Sequence, residues 1–276
     1  MKGTNRYGLE RDIPESVKLA VRQNSGFGCV ICGMGIYDYE HVEPEFKDAQ
    51  DHVAASITLL CPNHHAMKTR GTLPKTEVKK HMKSPAAFKS GFTFGPLFYE
   101  GGPIKVKIGD SVFSDTPYPI TVGGIPMLSV RHPIDEGGPV NISAIMADYS
   151  GQPMMGINNN EWRASNEIWD VKSEGSRITI RNGPKNIGLR FKNDPSDGIV
   201  FESARIAFAG LRIIVSPNGA LECTLNGQVI ATFAGVTTEG CRVGIGFSLP
   251  PELIAAAKAW MRVQGAAFDM IPQLEI

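Results

Sequence analysis

The sequence predicts an α+β protein. A small zinc-pinned strand–strand–helix unit occupies residues 1–94, and a mainly antiparallel all-β unit ending in a helix occupies residues 95–276. Three observations predict it. Cys29/Cys32 and Cys61/His64 form two ligand pairs with the spacing of a tetrahedral zinc site. Near residue 95 the texture changes to short β-branched runs punctuated by Gly, Pro and Asn-Gly turns. The final stretch "PPELIAAAKAWMRVQG" carries its apolar residues at helical period.

The first element is a helix in "RDIPESVKLAVRQNSG". Pro14 suits the first helical position, Glu15 the first turn, and Val17, Ala20 and Val21 form an apolar stripe that Gly26 ends. A Cys knuckle follows. "YDYEHVEP" reads as a short strand stopped at Pro44, "EFKDAQDHVAAS" as a polar loop, and "ITLLC" as a second strand. "PNHHAMKTRG" then opens a helix with His64 and His65 in its first turn. "LPKTEVKKHMKSP" predicts one more helix, capped near Thr76 and stopped by Pro85. Downstream, alternating runs such as "RITIRNG" and "LRIIVSPNGALECTLNGQVIATFAG" are separated by turns at Asn182-Gly183, Asn218-Gly219 and Asn226-Gly227. Short alternating strands with such turns predict a sandwich or a rolled barrel, with a short β-helix as the alternative arrangement. No fixed period argues for a repeat array. The C-terminal helix places Leu253, Ala256, Ala257, Trp260 and Met261 on one face, to dock on the β unit or on a second copy of the chain.

Composition bounds the function classes. The 276 residues are 42% hydrophobic and 20% charged, with zero formal net charge. Whole-chain charge therefore points to neither nucleic acid nor membrane. No apolar run is long enough to span a bilayer, and the polar N-terminus has no signal-peptide core, so a cytoplasmic setting is expected. Thiolate ligands suit that reduced compartment. Cys223 and Cys241 are expected to be buried apolar residues rather than a disulfide. The charge is unevenly spread. Lys68, Arg70, Lys75, Lys79, Lys80, Lys83 and Lys89 face only one acid, Glu77, over residues 68–89. Directly after a ligand pair, this patch reads either as a solvated helix face or as phosphate contacts.

The metal reading begins with the Cys29 and Cys32 pair. Two intervening residues allow a tight turn to aim both side chains at one ion. A redox pair is the other use of C-x-x-C, but it wants a βαβ context and leaves Cys61 and His64 unexplained. With those four on zinc, His65 is spare, and Glu40 and His41 sit at the end of the preceding strand. His52, in the loop, reads as a surface residue. His81 and His132 read as structural or surface, and Trp162, Trp169 and Phe201 as core.

These residues resemble the HNH endonucleases, ββα-metal nucleases of the treble-clef type. The shared pattern is a C-x-x-C knuckle, an acid followed by His, a loop, then C-x-x-H followed at once by His and a basic residue. The resemblance covers roughly residues 10–85. It implies that Glu40 and His65 bind a catalytic divalent ion (Mg²⁺ or Mn²⁺), that His41 is the general base, and that DNA is the partner. Lys68, Arg70, Lys75, Lys79 and Lys80 would contact phosphates. The chain departs from the family in two places. Glu40 stands where Asp is more usual, and Ser56 stands where the family has the Asn that braces the base. Three readings follow: a DNA endonuclease, in a prokaryotic or phage defence setting; a zinc-stabilised binding module without catalysis; and a nuclease gated by a ligand or by oligomerisation through the β unit.

Overall fold

Residues 3–97, 104–132, 140–194 and 196–268 are described by a computed structural model. Helix α1 (Glu15–Asn24) starts after Pro14, whose fixed φ is compatible with a helix start. Strands β1 (Asp38–His41) and β2 (Ile57–Leu60) pair antiparallel, with Tyr39 opposite Leu59 and His41 opposite Ile57. Helix α2 (Pro62–Thr69) follows at once, with Pro62 in its first turn. Helix α3 (Lys75–Met82) is preceded by Pro74 at the cap position, so Thr76 lies inside the helix. Proline is there pre-organised for the entry, and no side chain caps the end. Helix α4 (Ala86–Ser90) ends at Gly91, whose φ of 86° is the left-handed stop that glycine adopts without strain.

Strand β3 (Phe92–Pro96) pairs with Glu161–Ser165 and spans the position near 94 where the sequence texture changes. The remaining strands form two sheets that share the long strand Gly198–Phe208. Its first part pairs antiparallel with Asn186–Asp194 and parallel with Lys105–Ile108, and its last part pairs antiparallel with Leu211–Val215. Two more parallel pairings join Thr237–Glu239 to Ser111–Ser114 and Val243–Phe247 to Tyr118–Val122. The protein is α+β, with mixed and mostly antiparallel sheets. Hairpin texture forecasts the antiparallel neighbours. It is silent on the parallel ones, which the chain makes by returning over long separations. Both sheets bury their apolar residues in one cluster, with Phe113, Phe191 and Ile199 from one and Ile142, Ile157 and Trp162 from the other.

Asn226-Gly227 makes a two-residue turn between Leu225 and Gln228, both residues at positive φ. Asn182-Gly183 does not turn: both residues stay in the strand, and the reversal falls on Pro184 and Lys185. Proline presets the first central position and Lys185 takes φ 60° at the second. Helix α5 (Pro251–Ala267) docks on its own chain's sheet. Ala257 and Met261 are buried, Trp260 meets Phe208 edge-on at 5.1 Å, and Gln264 Nε2 donates to the Gly151 carbonyl. Leu253 and Ala256, expected on the buried face, are exposed, Leu253 at 42%. Among the described residues no helix is long and apolar enough to cross a membrane.

The two units meet over a close interface. Arg22 of α1 forks onto Asp170, with Nε–Oδ1 at 2.7 Å and Nη2–Oδ2 at 3.0 Å, and each side chain is 1% exposed. Arg181 adds a second cation at 2.9 Å, and Tyr39 accepts from Arg22 Nη1. Gly35 N–H donates to the Phe94 carbonyl, and Phe94 N–H to the Gly33 carbonyl. The Trp162 ring lies so near Gly35 and Gly95 that a Cβ there would stand 2.3 and 2.8 Å from ring carbons. Trp162 and Phe201 are core as expected, whereas Trp169 is only partly buried.

Candidate metal centre and adjoining cleft

The Cys29/Cys32 turn and the start of α2 bring Cys29, Cys32, Cys61 and His64 together, with ligand atoms all within 4.8 Å of one another. Cys29 Sγ lies 3.4 Å and Cys61 Sγ 3.2 Å from His64 Nδ1, and Cys32 Sγ lies 3.9 Å from Cys61 Sγ. A tetrahedral zinc with ordinary bond lengths needs S···S edges of about 3.8 Å and S···N edges of about 3.6 Å. The donor set fits, and the cluster could hold a zinc ion. Its protonation favours that. The side-chain hydrogen bond from Cys32, helped by backbone N–H groups of Cys61, Cys32 and Ile31, holds the Cys29 thiol down to about 4. Donating to Cys29, together with burial, pushes the Cys32 thiol up, and a bound cation displaces such protons.

Successive helical residues point about 100° apart. His64 therefore faces the cluster while His65 faces a neighbouring cleft of about 580 Å³. Glu40 and His41 line that cleft together from the end of β1. Glu40 is nearly buried. Its Oε2 is 2.9 Å from His65 Nε2, and its Oε1 is 2.6 Å from Lys68 Nζ. The three residues are held by pairing of β1 with β2 and by the immediate start of α2, so the sequence order is converted directly into proximity.

Of the five expected phosphate contacts, Lys68 and Lys75 line the cleft. Arg70 is exposed outside it, Lys79 pairs with Glu43, and Lys80 pairs with Glu77 at 3.2 Å. Two cations that the motif does not point to complete the rim: Lys47 and Arg11, the latter stacked over the Phe46 ring at 5.3 Å. Ser56 does not enter the cleft. It lines a separate groove with Val42 and Lys83, and its link to the strand end is a backbone one, Val42 N–H to the Ser56 carbonyl.

His52 is a correction. It is buried, 8% exposed, with Nδ1 3.0 Å from His41 Nε2 and Nε2 2.9 Å from the Glu10 carbonyl. A polar loop sequence conceals this because the loop folds inward over His41, where Phe46 stacks on the His52 ring and lies tilted against the His41 ring. His81 sits near Glu77, and His132 is exposed. All five cysteines are free thiols; Cys223 is buried as expected, but Cys241 is exposed.

Burial lowers the His41 pKa from 6.5 to about 4, helped by the charges of His52, Arg11 and Lys68. The unfolded chain then binds the extra proton between those values, so the contribution to stability is complete above pH 6.5 and lost as pH falls towards 4. That loss is expected to reach no more than about 3.5 kcal/mol, at roughly 1.4 kcal/mol per unit. Urea unfolding of wild type and His41→Gln from pH 7.5 to 4.5 checks it. The gap between the two should narrow on acidification, and a constant gap would contradict the shift.

Comparison with known proteins finds no matching family model, no matching curated protein and no matching solved structure.

Proposed function

We propose that the protein is a metal-dependent endonuclease that hydrolyses DNA phosphodiester bonds, resembling the HNH enzymes in its first unit. The observation that carries this reading is the convergence of Glu40, His41, His65 and Lys68 on one cleft beside a cluster fit for structural zinc. Glu40 and His65 are the residues for the catalytic ion. Their O and N atoms, 2.9 Å apart, would hold a Mg²⁺ or Mn²⁺ ion together. Such an ion supplies Lewis-acid stabilisation of charge on the phosphate and the leaving oxygen. His41, neutral at working pH, takes the proton of the attacking water. Lys68, Lys75, Lys47 and Arg11 outnumber the two acids of the cleft, Glu40 and Glu45, to which the three lysines are paired, and this excess of cations favours a phosphate backbone.

The test is plasmid cleavage with Mg²⁺ or Mn²⁺ by wild type and His41→Ala. Wild-type nicking that falls at least about a hundredfold in the variant is expected. Equal activity in both would refute the assignment of the base. The Lys68 contact to Glu40 favours a second reading, a zinc-stabilised DNA-binding module without catalysis. That reading predicts DNA retention with no cutting by either protein.

A further inference from the structure

We infer that His52 is a positioning residue that fixes the tautomer of His41, keeping the proton on His41 Nε2 and leaving Nδ1 bare. The inference rests on the proposed role of His41 as general base. It follows from hydrogen-bond inventory. A carbonyl oxygen only accepts, so the 2.9 Å contact to the Glu10 carbonyl requires His52 Nε2 to carry a hydrogen. A neutral imidazole has one N–H, so His52 Nδ1 is an acceptor. His41 Nε2, 3.0 Å away, must then donate to it. His41 has one N–H too, so its Nδ1 holds a lone pair. No described residue hydrogen-bonds that nitrogen, and His41 lines the cleft where a water would be attacked.

The relay is held mechanically as well as chemically. Phe46 lies 5.4 Å from the His41 ring and is stacked at 6.5 Å on His52. Asp51 Oδ1 accepts from the His52 backbone N–H at 2.7 Å, fixing the loop beneath it. The direction of the relay is set at its far end by a main-chain carbonyl from the segment preceding α1. That segment also brings Arg11 to the cleft rim, so it contributes a tautomer anchor and a cation from consecutive residues. His52 itself does not reach the reacting atoms; it acts only through His41.

The test uses the full zinc-loaded chain labelled with ¹⁵N-histidine. Long-range ¹H–¹⁵N correlations at neutral pH should give His41 the Nε2–H pattern. His52→Gln keeps a donor at the ε position but removes the acceptor at the δ position, and should abolish that pattern. His52→Asn restores an acceptor at the δ position and should recover it. In plasmid cleavage kcat should fall about 10- to 100-fold in the Gln variant with KM unchanged, and recover in the Asn variant. Zinc content and circular dichroism equal to wild type show that the variants fold. An Nδ1–H pattern for His41 in wild type, or an unchanged pattern in His52→Gln, overturns the inference. A wild type that shows the Nε2–H pattern but cuts nothing refutes the nuclease reading and leaves the tautomer assignment standing.

Discussion

Stripping zinc from the loaded chain is expected to unfold most of residues 10–90 while the β unit stays folded. Apart from its contacts with the β unit, the first unit has only small cores of its own. Its cluster beside the metal site contains six buried residues, and two of them, Cys29 and Cys61, are themselves ligands. A second small cluster of Ile13, Val21, Ile57 and Leu59 lies under α1. Cores of this size do not overcome chain entropy unaided. Zinc binding in small domains of this kind is worth about 10 kcal/mol or more, and that binding energy becomes folding energy. The β unit, by contrast, buries a continuous cluster running through both of its sheets. Hydrogen exchange on the chelated chain should therefore show lost protection in β1, β2 and α2 and retained protection in the strand Gly198–Phe208. Cys61→Ser should behave like the chelated protein. Full protection of α2 in a chain shown to contain no metal would overturn the prediction.

The second large effect is expected from Asp170→Ala, at about 3–5 kcal/mol of lost stability. The Asp170 carboxylate accepts from two guanidinium groups, Arg22 and Arg181, and one of these is as buried as Asp170 itself. Removing the carboxylate leaves the Arg22 charge inside the protein, with only Tyr39 and the mostly exposed Glu15 nearby. Desolvation makes that arrangement expensive, whereas removing both charges does not. The double variant Arg22→Met, Asp170→Leu should recover most of the loss, since an apolar pair of similar volume replaces a buried ion pair at little cost. Urea unfolding of both variants and wild type measures the difference. A single variant within about 1 kcal/mol of wild type would mean that water reaches this pair in solution.

The metal cluster was legible because zinc demands fixed local spacing, and both ligand pairs lie within short stretches. Glu40, His41 and His65 were legible for the same reason, since one hairpin and one helix start carry them all. Arg22 was not. A charged residue in an amphipathic helix reads as solvent-facing, and its partner lies 148 residues downstream. His52 and Lys47 were hidden in a segment with no periodicity, and Arg11 in the lead-in to α1, because only the closed cleft gives them a common address. The run of lysines after His65 reads as one patch, but helical geometry divides it. Lys68 and Lys75 face the cleft while Lys79 and Lys80 turn to acids elsewhere.

Strand β3 has a practical consequence for anyone cutting this chain into pieces. A fragment ended at residue 94 would sever β3 in its middle and remove the partner strand Glu161–Ser165. It would also strip away the Trp162 ring that rests on Gly35 and the carboxylate that neutralises Arg22. The excised piece would carry a bare strand edge, an unshielded apolar patch and an unmatched guanidinium, a combination that favours aggregation. The zinc-ligand unit is thus an integral part of the whole chain and a poor candidate for transplantation.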